Sequence, residues 1–237
     1  MLVVKVRIAL SLLALALVAG FSSLGRWQLH RASEKQGMLD AVATALSRKQ
    51  ARPLVSAAGM DSRGYDWAAG RGRFLDTPAL LLDNQRRGEQ VGVHVFAAFQ
   101  PTGGSALLLD LGWLPLPGDR KLPTVTLPVG EQAVSGLLAP PPTSGIALGP
   151  AYVISDSRRW LMTRVDIAAL AGGLHIGLAP RILRLDPALP IGYARDLDVL
   201  PNTIPPQRHR GYAVQWFGLA LVTLLTALFL NFRRQPQ

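Results

Sequence analysis

GYAVQWFGLALVTLLTALFLNF, residues 211–232, runs for 22 positions without a charged side chain. About 20 apolar residues span the hydrocarbon core of a bilayer, so the stretch predicts a transmembrane helix. A second run, IALSLLALALVAGFSSLG at residues 8–25, lies near the other end of the chain. With 49% hydrophobic and only 17% charged side chains, the chain is too apolar for an ordinary soluble domain of its size.

The first run reads as a retained anchor rather than a signal peptide. It exceeds the usual apolar h-region, no A-x-A-like site closes it, and Arg26-Trp27-Gln28 follows as an interfacial anchor would. Lys5 and Arg7 precede it, Arg233 and Arg234 follow the second run, and neither tail holds an acidic residue. The positive-inside bias then places both termini in the cytoplasm. The expected organisation is a cytoplasmic N-terminus at 1–7, a transmembrane helix at 8–25, a periplasmic domain at 26–210, a second transmembrane helix at 211–232 and a cytoplasmic C-terminus at 233–237. In a bacterium this describes a multi-pass protein of the inner membrane, with the far side the periplasm.

Setting aside those four tail cations, 21 of the 25 Lys and Arg remain against 15 Asp and Glu. That surplus is mild and spread out, unlike the concentrated stripe of a nucleic-acid binder, and suits anionic lipid, haem propionates or an acidic partner. The absence of cysteine excludes disulfides and thiolate ligands.

Residues 27–47 carry Leu39, Val42 and Leu46 at helical spacing, which predicts an amphipathic helix ending at Arg52-Pro53. From Gly70 onward, short Val-, Leu- and Phe-rich runs alternate with turn residues, at 72–75, 79–83, 91–99, 106–114 and 133–138. VGVHVFAAF at 91–99 places Val91, Val93, Val95, Ala97 and Phe99 on one face and Gly92, His94, Phe96 and Ala98 on the other. These runs predict an antiparallel sheet, curled or closed into a barrel to manage its edges. Asp166 is placed to cap a short helix ending at Gly172-Gly173, and 180–186 alternates as a strand. The Pro-rich stretch 187–206 shows no regular element. The fold class is α+β, with two transmembrane helices flanking an extracytoplasmic domain.

No nucleophile elbow or phosphate loop is present, and Gly103-Gly104-Ser105 reads as a hairpin turn. The closest carboxylates, Asp196 and Asp198, lie in a polar loop, and His30, His94, His175 and His209 show no metal-binding spacing. The remaining candidate is RHRGYAVQW at 208–216. Its residue types fit an aromatic belt with Arg208 and Arg210 reaching lipid phosphates. That belt is the reading the residue types favour, since anchoring needs no further function, and a haem clasp stands second: His209 as axial iron ligand, Arg208 and Arg210 on the propionates, Tyr212 and Trp216 covering the macrocycle.

LGRWQLHRASEK at 24–35, LLLDLGWLP at 107–115, the Arg159-Trp160 and Val165-Asp166 pairs and HRGYAVQWFGLA at 209–220 resemble the Surf1 family of cytochrome c oxidase assembly proteins, over nearly the whole chain. The resemblance implies two membrane helices around an extracytoplasmic domain, and a chaperone role in maturing the haem-bearing oxidase subunit I. It also implies haem a as cofactor in bacterial members, with His209 at the position of a histidine implicated in haem binding. Two positions depart from the pattern, Arg210 where the family usually has Leu and Leu111 where it usually has Arg. The expectation is therefore a non-enzymatic assembly factor that holds haem a at the periplasmic face for insertion into subunit I. Its partners would be subunit I, other assembly factors and membrane lipid, but no nucleic acid. Trp27 and Arg26 would complete the haem site if the two spans pack together. A scaffold that docks on subunit I without haem is the first alternative, and a membrane-tethered hydrolase using His94 or His175 is the second.

Overall fold

The computed structural model describes residues 2–59, 64–142, 149–200 and 203–232. The expected C-terminal tail, with Arg233 and Arg234, lies outside them. The chain forms two compact units, one of residues up to Leu39 together with those from Thr203 onward, the other of Asp40–Asn202.

Helix α1 (Leu2–Arg48), which belongs to the first unit up to Leu39, merges the first predicted span with the amphipathic helix that follows, since no proline interrupts residues 2–48. It ends where Lys49 turns left-handed (φ 42) and its N–H donates to the Ala45 carbonyl. Helix α3 (Pro206–Phe232) opens on a proline, which lacks the N–H that a first helical turn leaves unpaired. It begins five residues before the predicted boundary at 211, so His209 is helical. Both helices are long and apolar enough to cross a membrane by length and composition.

The two helices run antiparallel, as the pairings Phe21–Trp216, Gln28–His209 and Lys35–Ile204 require. The buried and half-buried positions of α1 include Ala14, Val18, Phe21, Gly25, Gln28, Ala32 and Lys35. Those of α3 include Pro206, His209, Ala213, Trp216 and Ala220. Alternating steps of three and four residues mark the seam of a helix pair packed knobs-into-holes. Gly25 permits the close approach: a Cβ there would stand 2.8 Å from the Phe217 ring.

The second unit is a mixed nine-stranded sheet. Its strands are β1 (Arg52–Pro53), β2 (Asp66–Phe74), β3 (Ala79–Arg87), β4 (Gln90–Pro101), β5 (Leu107–Pro115), β6 (Glu131–Ala139), β7 (Tyr152–Ile154), β8 (Arg159–Met162) and β9 (Ile182–Leu185). The order is β1-β2-β6-β9-β5-β4-β3-β8-β7, and β2 also pairs with the end of β4. That extra pairing closes β2, β6, β9, β5 and β4 into a ring, as the barrel-like expectation required.

The expectation of a purely antiparallel sheet is corrected, because β1–β2, β3–β8 and β5–β9 are parallel. Hairpins produce only antiparallel neighbours, whereas β8 and β9 come from far along the chain and insert beside earlier strands. Strand β8, within the RW block, was not among the predicted runs. Helix α2 (Ile167–Leu174) has Asp166 as its N-cap, accepting from the Ala169 N–H at 3.1 Å. It runs through the expected stop at Gly172-Gly173 and ends on His175 in the left-handed conformation.

The β4 alternation carries the core. Val93, Val95, Ala97 and Phe99 pack with Leu107, Leu109, Leu111, Val134 and Leu183, while Phe96 and Ala98 face Leu80, Leu108, Trp160, Met162 and Leu170. Val91, at the strand's start, is exposed. Each fully buried side chain of this size contributes about 1.5–3 kcal/mol. Leu111 lies in that core, so the position where the family usually has Arg is here part of the apolar packing.

Candidate functional site

His209 sits in the first turn of α3 and is only 6% exposed. Its Nδ1 lies 2.6 Å from Gln28 Oε1. Its Nε2 is buried and has no hydrogen-bond partner among the described residues. Further along the seam, Lys35 is buried and its Nζ donates to the Ile204 carbonyl at 2.5 Å, fastening the residues just before α3 to α1. Arg31 pairs with Glu34 at 2.7 Å, and Glu34 also meets His30 Nε2 at 3.1 Å. Burial, and after it the charges of Lys35 and Arg31, hold the His209 pKa below its ordinary value, so a positive charge on the imidazole is disfavoured.

Trp216 is half-buried and stacked on Phe21, with ring centroids 5.7 Å apart. Four other predicted residues, Arg208, Arg210, Arg26 and Trp27, are exposed on the outside of the helix pair, and Tyr212 is 40% exposed. None of these five side chains makes a hydrogen bond, ion pair or ring contact with His209 among the described residues. The structure thus brings His209 into contact with Gln28 and sets Lys35 and Arg31 where their charges act on it. Sequence reasoning missed all three as site residues, although Gln28, Arg31 and Lys35 fall within the quoted block 24–35. Their spacing from Gln28 (three and seven residues) places Arg31 and Lys35 on one side of a helix, a signal that could have found them once Gln28 was chosen.

As a donor set, the arrangement has one nitrogen lone pair to offer. Hydrogen bonding of one ring nitrogen to a side-chain oxygen is the usual way a metal-binding histidine is fixed in tautomer and orientation. Nε2 is covered by protein, so a ligand reaches it only after the seam around it parts.

The second unit holds a different polar cluster. His94 Nδ1 lies 3.1 Å from Asp110 Oδ1, which also accepts the Gly112 N–H at 3.0 Å. Asp110 Oδ2 faces Arg184 Nε at 3.4 Å, and Arg184 Nη1 donates to the Asp198 carbonyl. Burial alone would raise the Asp110 pKa, but the hydrogen bond and charge of His94, then Arg184 and the Gly112 amide, hold it below the ordinary carboxylate value.

This cluster sits on an irregularity where β5 carries one extra residue against Val95 and Phe96. Gly112 adopts φ 108 there, with the Tyr193 and Ala194 carbonyls 2.8 Å from where a Cβ would be. The DLGW block therefore spells out a pinned bulge. The carboxylate is committed to three donors. A cavity of about 800 Å³, between the β2–β3 turn, residues 124–130 and the 156–159 turn, is lined by Arg73, Asp76, Asp156, Arg158 and Arg159, and by neither His94 nor His175. His175 is exposed at the end of α2.

The SURF1 family profile matches residues 15–221, taking in the helix seam and the whole sheet. No curated protein matches the chain. With the match covering most of the sequence, and with α+β architecture between two long apolar helices, the chain belongs to the SURF1 family, a family of assembly factors linked to cytochrome oxidase assembly.

Proposed function

We propose that this protein holds haem a at the periplasmic face of a bacterial inner membrane and helps insert it into oxidase subunit I. The spans at 8–25 and 211–232 cross the bilayer with both termini in the cytoplasm, and the sheet unit is periplasmic. The observation that carries this reading is the His209 imidazole, with Nδ1 held by Gln28 and Nε2 left without a partner. The residues present fit a haem in donor chemistry. His209 would hold the group through one nitrogen, Trp216 and Phe21 would offer flat apolar faces, and Arg208, Arg210 and Lys35 would be the cations for the propionates. Arg26, Trp27 and Tyr212 would border the group from outside the seam. When bound, the group would supply an iron with affinity for a histidine nitrogen. A single protein ligand in a seam that must part to receive haem suits transient carriage.

One observation favours the scaffold reading instead. Nε2 is buried and Trp216 is already stacked on Phe21, as in a helix pair whose seam is complete. Purification in native detergent from cells making haem a, scored for pigment and for subunit I, separates the two. Carriage yields both signals, and subunit I with a colourless protein supports the scaffold. The hydrolase alternative has less behind it, because the His94 carboxylate partner is spent on the sheet.

A further inference from the structure

We infer that Gln28 is the positioning residue for His209: its side-chain oxygen holds the imidazole in the Nδ1–H tautomer and turns a bare Nε2 lone pair into the seam. The inference rests on the haem reading for its purpose, but not for its geometry. The 2.6 Å contact between Gln28 Oε1 and His209 Nδ1 is the ring's one side-chain hydrogen bond among the described residues. A neutral imidazole carries one N–H, so the proton sits on Nδ1 or on Nε2. With the proton on Nε2, a donor would be buried with nothing to receive it. Orphaned buried donors are rarer in proteins than under-used acceptors, so the proton belongs on Nδ1.

Packing locks the pair in place. Gln28 follows Gly25 by one turn and precedes Ala32 by one turn, and both neighbours are buried, as is Ala213 one turn beyond His209. Small residues on each side keep the backbones close, so the amide reaches the ring directly. The two residues lie 181 positions apart, and only the antiparallel helix pair unites them.

The test uses full-length, haem-free protein in detergent with ¹⁵N-labelled histidine, the His209 signals being assigned by their loss in His209→Ala. The expected spectrum shows Nδ1 protonated and Nε2 bare. Gln28→Leu should populate both tautomers and weaken binding of added ferric haem by about 10-fold or more, in line with loss of a supporting partner at a metal site. Gln28→Glu keeps an acceptor oxygen and should retain the wild-type tautomer, which a merely space-filling role would not require. Circular dichroism of each variant checks that the helices are intact. Finding Nε2 protonated in the wild type, or an unchanged tautomer in Gln28→Leu, overturns the inference. A wild type that binds no haem defeats the proposed function instead, and the tautomer still decides the role of Gln28.

Discussion

His209 in the helix pair and His94 in the sheet unit each have Nδ1 within hydrogen-bonding distance of a side-chain oxygen, yet the oxygens differ in kind. Gln28 offers a neutral amide, and the far nitrogen of His209 is left unused. Asp110 offers a carboxylate already committed to the Gly112 amide and the Arg184 guanidinium. The first arrangement leaves binding capacity in hand. The second uses its capacity to fasten β4, β5 and β9 together around a bulge. A histidine beside an oxygen is therefore not by itself a site, and what the oxygen is committed to decides the matter.

The sharpest way to break this comparison is to remove the sheet's carboxylate. Asp110→Ala leaves Arg184 and the Gly112 amide buried without their partner, and should cost about 3–5 kcal/mol in denaturant unfolding of the full-length protein. If it costs less than about 1 kcal/mol, the cluster is not the structural pin described here.

Acid should act on the same group. Because the folded-state pKa of Asp110 lies below its ordinary value of 3.8, its contribution is complete above that pH and disappears as pH falls through the depressed folded value. The wild type should lose stability on that acid limb, and Asp110→Asn should flatten it. An unchanged acid limb would remove Asp110 from the account.

Gln28→Leu should have a smaller effect on stability, about 1–2 kcal/mol by thermal melting, since it strands one imidazole donor. Arg208→Ala and Arg210→Ala should do least. Both side chains are exposed, so each change should stay within about 0.5 kcal/mol of wild type, while haem affinity drops by a few fold if they meet propionates.

How much of this was legible in the sequence differs between the two regions. The sheet was visible wherever period-two patterning was strong. β4 follows the 91–99 alternation, and β5 and β6 fall within a residue or two of their runs. β8 was not visible, because four residues shared between arginine, tryptophan and apolar groups show no alternation, and its parallel partner β3 is far away in the chain. The two apolar helices were plain from hydropathy. Their seam was not, since hydropathy ranks Gln28 and Lys35 as surface residues, and only an opposing helix makes them interior. His209 was singled out as a candidate from its position beside the apolar run and from a family resemblance. Its partner was beyond reach of local spacing, because nothing within 24–35 marks Gln28 for a residue at 209.

His209 is the residue proposed to attach haem. The most direct measurement is the absorption spectrum of wild type and His209→Ala purified side by side from cells that make haem a. A Soret band in the wild type that is lost in His209→Ala, with equal yield and helix content, is the predicted result. A band of equal strength in both proteins, or a colourless wild type, would contradict it.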